Sequence, residues 1–185
     1  MPRLKTIRTL YYDDAIICFD KPAGLPTHPT LDKTRENLYS LAVQQVSKDP
    51  SITNAYLGIH HRLDRDTSGV ILFTRSKEYN AYFSDLFKNH MCTKTYVAVV
   101  HGKPIPRSGK IESYLAAIGK KLKKTKFGSV HSGGKLAITQ YTVLMSNEVF
   151  SLVNVDMKTG RTHQIRVHFS EKGHPIVGDV LYGSP

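Results

Sequence analysis

His61-Arg62-Leu63-Asp64-Arg65-Asp66-Thr67-Ser68-Gly69 runs directly into Val70-Ile71-Leu72-Phe73. The second piece is a short apolar run and reads as a buried strand. The first is too charged for a core and too poor in small residues for an idle surface loop. Held by the strand that follows, such a stretch belongs at the mouth of a cleft. Asp64 stands between Arg62 and Arg65, whose charge favours its ionised form even where water is partly excluded. A carboxylate so placed can act as a nucleophile or offset positive charge on a reacting carbon.

Around this stretch, 185 residues give length enough for one sizeable core, and 40% hydrophobic content is ordinary for a globular chain. Lys and Arg total 26 against 15 Asp and Glu, a net charge of +11. A pI near 9.6 favours polyanionic partners, nucleic acid first and an anionic membrane surface second. The plainer reading, charge for solubility alone, weighs less in a chain this basic. Cys18 and Cys92 form no paired motif, which argues against a cysteine zinc site. Met1-Pro2-Arg3-Leu4-Lys5 opens no signal peptide and no apolar run approaches membrane-spanning length, so a reduced cytoplasm is expected.

Ile7–Tyr12 and Ala15–Asp20 read as strands about a turn at Asp13-Asp14, the second nearly continuous in apolar residues and therefore central. Lys21-Pro22-Ala23-Gly24-Leu25-Pro26-Thr27-His28-Pro29 then forms a rigid loop suited to a site wall. Thr34 is expected to cap a helix across Leu38, Leu41, Ala42 and Val46, and Ser76 a second one presenting Tyr79, Phe83, Leu86 and Phe87 to the core. Further strands are expected at 70–74, 94–100, 111–117, 137–144 and 151–157. Between 117 and 137 lies a Gly- and Lys-rich arm with Lys120, Lys121, Lys123, Lys124, Lys126 and Lys135, read as a mobile loop for gripping phosphates. A solvated hairpin tip is its plainer reading. Arg161 to Phe169 reads as a short helix stopped at Gly173. Adjacent runs of strands with few helices predict an α+β fold, a single domain over residues 1–185 with a central mixed, mainly antiparallel sheet flanked by short helices and basic loops.

Arg161 and Arg166 are five apart and do not share a helix face closely. His163 and His168 are also five apart, whereas two ligands on one helical face want a spacing of four, so no metal site is expected.

The nonapeptide His61–Gly69 resembles the signature of the RluA-type pseudouridine synthases, with Asp66 in the variable slot. Lys21-Pro22-x-Gly24 with His28-Pro29 is similar to the first motif of that family, and Lys94-Thr95-Tyr96 to the middle one. Gly134-Lys135-x-Ala137-x-Thr139-x-Tyr141 also fits. Gly160 to His168, followed by Gly173-His174-Pro175-Ile176 and Gly178-Asp179, is similar to the third motif. The motifs keep their order across nearly the whole chain.

The resemblance implies isomerisation of uridine to pseudouridine in RNA, without cofactor. Carried over by position, Asp64 is the essential carboxylate, Arg166 the basic partner that holds it ionised and oriented, and Tyr96 packs against the uracil. A phenol is a poor base at neutral pH, so proton transfer by Tyr96 is its lesser role. Arg62 is expected to fill the stacking position that an extruded uridine leaves, against a plainer reading as a loop salt bridge. Lys21, His61, Arg161, His163, Lys120, Lys121, Lys123 and Lys124 are expected to contact RNA. A monomer is expected, with no N-terminal S4-type module, so recognition would fall to the domain's own loops. The chain ends at Tyr182-Gly183-Ser184-Pro185, soon after the last motif. Two other classes compete: an RNA-binding or chaperone protein without turnover, and a metal-dependent phosphodiesterase.

Overall fold

The structure, a computed structural model, describes residues 6–30, 32, 34–50, 55–121 and 124–184, with the backbone alone at Lys124. It divides into two compact units, the first running to Met91 and the second starting at Cys92. The first holds β1 (Thr9–Tyr12), β2 (Ile16–Lys21), α1 (Leu38–Val46), β3 (Gly58–Ile59), β4 (Gly69–Thr74), a 3-10 turn (Lys77–Tyr79) and α2 (Asn80–Lys88). The second holds β5 (Lys94–His101), β6 (Ser108–Lys121), β7 (Lys124–Ser129), β8 (Lys135–Ser146), β9 (Phe150–Met157) and α3 (Gln164–Glu171). The α+β class holds. The strands form two sheets, ordered β1-β2-β4-β3 and β5-β9-β8-β6-β7. Every pairing among the described residues is antiparallel.

In the first unit Asp13 makes the β1–β2 turn, its Oδ1 accepting from the amides of Ala15 and Ile16 at 2.8 Å each. Ile17, Cys18 and Phe19 of β2 are all buried, which suits an interior strand covered on both faces. Phe19 meets Phe73 of β4 edge-on, with ring centroids 5.8 Å apart. Leu38, Ala42 and Val46 recur every four residues and bury the inner stripe of α1. Complete burial of Leu38 alone contributes about 2 kcal/mol. The cap of α1 is Asn37, not Thr34. Its side chain accepts from Ser40 N at 3.0 Å, whereas the Thr34 hydroxyl is spent on Asp32 at 2.6 Å. Ser76 caps the 3-10 turn that leads into α2, while α2 itself follows Tyr79 without a side-chain cap. No residue of α2 is buried, so its expected core face is only half-covered, Phe83 and Phe87 meeting the rings of His60 and His61.

In the second unit β9 lies between β5 and β8 and alternates, with Ser151, Val153 and Val155 inward. Val100, Val143, Val153 and Val155 pack with Phe169 of α3, so the helix closes the inner face of the sheet. Gly173 (φ 81°) ends α3 in the left-handed region that glycine adopts freely. The arm read as a mobile loop is instead a hairpin. β6 and β7 pair through Ala117↔Phe127, Lys120↔Thr125 and Lys121↔Lys124. Its physical reason is Phe127, the one aromatic among the lysines, which packs against Leu115, Ala137, Val167, Leu181 and Tyr182. No described helix is long and apolar enough to cross a membrane.

Candidate functional site

The three expected catalytic residues divide between the units: Asp64 falls in the first, Tyr96 and Arg166 in the second. Asp64 is half-buried between two tethered neighbours. Leu63 is buried, and the Thr27 hydroxyl bridges its backbone, donating to Leu63 O at 2.9 Å and accepting from Leu63 N at 3.2 Å. On the other side, Arg65 O accepts from Gly24 N at 2.9 Å and Lys21 Nζ at 3.0 Å. A turn closed by Thr67 N donating to Asp64 O at 3.1 Å completes the hold. The Pro- and Gly-rich loop after β2 is therefore the clamp on the signature loop.

Lys21 is corrected by this geometry. It has no exposed surface, and its Nζ also donates to Pro22 O at 2.9 Å and Leu25 O at 2.7 Å. Burial pulls its amine down to about 8, against the opposing pull of Asp66 and Asp64. It cannot grip a phosphate. Arg65 likewise turns away from its expected service to Asp64, binding Asp66 through Nε and Nη2 at 2.8 Å each.

His61 is half-buried and tied into the fold. Its ring stacks on Phe87 of α2 with centroids 4.5 Å apart, and its Nε2 accepts from Leu72 N at 2.9 Å. An accepting Nε2 places the proton on Nδ1, so the neutral ring fastens the start of the signature loop to β4. Arg62, next along, is exposed.

Tyr96 is half-buried on the inner face of β5, packed with Ala98 on the cluster around Val100 and Phe169. Arg166 sits on α3 and gives Asp179 a two-pronged pair, Nε to Oδ2 at 2.7 Å and Nη2 to Oδ1 at 3.0 Å. Arg161 and His163 lie at the start of that helix and are occupied within the fold. Arg161 Nε donates to Leu136 O at 2.8 Å. His163 Nδ1 meets the Tyr182 hydroxyl at 2.8 Å, its ring edge-on to Phe127 at 5.5 Å. Lys120 and Lys121 are exposed on the β6 end of the hairpin, while Lys123 and the Lys124 side chain lie outside the described residues.

A buried polar network, absent from the sequence reading, fixes α3 to β8. Gln164 Nε2 donates to Ile138 O at 3.0 Å and to the Thr139 hydroxyl at 2.9 Å. Its Oε1 accepts from the Thr159 hydroxyl at 2.7 Å and from Arg161 N at 3.0 Å. His168, fully buried, sits between the Thr139 and Ser113 hydroxyls at 2.9 and 3.1 Å. A neutral ring satisfies both, accepting from Thr139 and donating to Ser113. Burial pushes this imidazole down to about 4.

His168 thus makes stability depend on pH. Its folded value lies below the ordinary 6.5, so its contribution is present above pH 6.5 and is lost as pH falls toward 4. Between pH 7 and 4.5 the wild type should lose roughly 2 kcal/mol that His168→Gln does not lose. Calorimetric melting curves of both proteins at the two pH values check this, the expected excess drop in wild-type Tm being about 5 °C.

Fold and site together define an α+β chain with an aspartate in a tethered loop, an arginine on a helix end, and a lysine-bearing hairpin. Residues 15–171 match the family model described as RNA pseudouridylate synthase, and the chain belongs to that family, among its RluA-type members. It is 35% identical over 188 residues to the uncharacterized RNA pseudouridine synthase YhcT of Bacillus subtilis (strain 168), covering 99% of this chain and 60% of that protein. It is 34% identical over 180 residues to the ribosomal large subunit pseudouridine synthase D of Borreliella burgdorferi, covering 96% of this chain and 55% of the relative. The solved structure of human RNA pseudouridylate synthase domain containing 4 is similar, with a TM-score of 0.79 and 27% identity over 95% of this chain and 68% of that one. The chain therefore spans a little over half the length of the curated relatives it matches.

Proposed function

We propose that this chain is an RNA pseudouridine synthase, converting uridine to pseudouridine in a structured RNA without a cofactor. The observation that carries the reading is Asp64, held between tethered Leu63 and Arg65 in a chain of this family. In the reaction the C1′–N1 bond breaks, the uracil turns, and C1′ joins C5. The proton on C5 leaves and N1 gains one, so the product is an isomer. The carboxylate of Asp64 is the group each route needs, whether it attacks C1′, attacks C6 or promotes a glycal. Arg166 supplies the cation of the site and Tyr96 packs against the uracil. We take the two units to act as one catalytic domain, a view supported by a family match that runs through both.

The substrate class is a ribosomal or transfer RNA stem-loop with an extruded uridine, and the Borreliella relative's name favours the ribosomal one. Extrusion costs a few kcal/mol. Exposed Arg62 stacks in the vacated place. Lys120 and Lys121, with Lys123 and Lys124, hold phosphates, and the working state is a cytoplasmic monomer. If Lys120 and Lys121 each meet one phosphate, Lys120→Glu with Lys121→Glu weakens binding to all RNA sequences alike. The slope of log affinity against log salt should then flatten by about 2, read by filter binding between 50 and 200 mM salt.

Tritium release from bulk RNA labelled at uracil C5, prepared from cells lacking the enzyme, tests the function. Release by wild type and none by Asp64→Ala supports the assignment. Equal release by both removes Asp64 from its role. No release by either, with RNA binding intact, favours a binding protein without turnover.

A further inference from the structure

The Gly178-Asp179 and Tyr182-Gly183 pairs follow α3 and have no part in the chemistry described above. Asp179, with a side chain only 8% exposed, takes Nε and Nη2 of Arg166 in one fork. Such a fork fixes the guanidinium plane as well as its place. Tyr182, 5% exposed, lays its ring against the guanidinium, with Arg166 Cζ 4.9 Å from the ring centroid. The Tyr182 hydroxyl reaches two more segments, Phe127 N on β7 at 2.9 Å and His163 Nδ1 at 2.8 Å. Its carbonyl accepts from the Ser170 hydroxyl at 2.5 Å. The turn braces itself as well, since Tyr182 N and Ser184 N both donate to Asp179 O, at 3.1 and 3.0 Å.

One short turn thus grips Arg166 by an edge and a face, and the same tyrosine holds the root of the lysine-bearing hairpin. The pair is bidentate and little exposed, 22% at Arg166 and 8% at Asp179, so it steadies the fold as well, and its effect on the rate must be read apart from folding. We propose that Asp179 and Tyr182 are positioning residues for the uridine reaction, Asp179 setting the orientation of Arg166 and Tyr182 tying that arginine to the RNA-gripping hairpin. This rests on the assignment of Arg166 to the reaction.

The test uses the full chain in excess over bulk RNA tritiated at uracil C5, with Arg166→Ala as reference. Asp179→Asn should slow single-turnover release by about 30-fold, the scale that small misplacements of a reacting group cost. Its Kd for the same RNA should stay within about threefold of wild type and its circular dichroism unchanged, because Asp179 meets no phosphate. Asp179→Glu, which keeps the charge and the fork, should restore most of the rate. Tyr182→Phe keeps the ring and so the rate, but should weaken RNA binding by about fivefold as the hairpin root loses its hydroxyl anchor. Full rate in Asp179→Asn with Arg166→Ala inactive overturns the proposal. So does a rate loss in Asp179→Asn that tracks lost circular dichroism, or a Tyr182→Phe protein that binds RNA as wild type does. Full rate in Arg166→Ala brings down the role of the arginine itself.

Discussion

Asp64→Asn should lose at least roughly 10³-fold of its single-turnover rate on tritiated RNA while folding and binding RNA as the wild type does. The amide has the carboxylate's shape, so steric explanations are removed and the charge is tested by itself. The loop should not move. Its hold runs through the backbones of Leu63 and Arg65, to Thr27, Gly24 and Lys21, and none of those bonds uses the Asp64 side chain. RNA affinity should hold or rise slightly, because one negative charge leaves a chain of net charge +11. An interaction made only in the transition state lowers kcat and kcat/KM equally, and that equal fall is the expected signature. A variant that loses affinity and keeps its rate at saturating RNA would make Asp64 a binding residue.

The motifs and their order were legible because each carries residue types that few loops need. So were the antiparallel runs, the interior place of β2 and the stop of α3 at Gly173, all local consequences of apolar period and glycine geometry. The partners of polar residues were not. Lys21 in a Pro-rich loop reads as a phosphate contact, and only the convergence of Pro22, Leu25 and a residue 44 positions away turns it into a buried strut. His61 looks the same in sequence whether it meets RNA or accepts from Leu72 N and stacks on Phe87. The hairpin was hidden by its own charge, since a single Phe127 supplies the apolar contact that orders its root. Asp179 offered no signal at all beyond its place in a motif.

Lys21→Met should destabilise the protein by about 4 kcal/mol. Methionine fills the stem of the lysine, so packing is kept and the ammonium alone is removed. Three carbonyls at 2.7 to 3.0 Å then lose a donor, in a place where Lys21 itself has no contact with water. Arg65 O keeps Gly24 N as a donor, so Pro22 O and Leu25 O are the two left unsatisfied, and at about 1–3 kcal/mol each they sum to the figure given. For a chain of this length the Tm should fall by about 10 °C. Lys21→Arg should not rescue it, because a planar fork cannot point three donors at carbonyls that converge on one nitrogen. Activity should fall further than stability does. One of the three carbonyls belongs to Arg65, beside Asp64, so at temperatures where the variant is still folded its single-turnover rate should already be below that of wild type. A Met variant that melts early but keeps the full rate when cold would show that Thr27 and Gly24 are enough to hold the loop, and would reduce Lys21 to a residue of the fold alone.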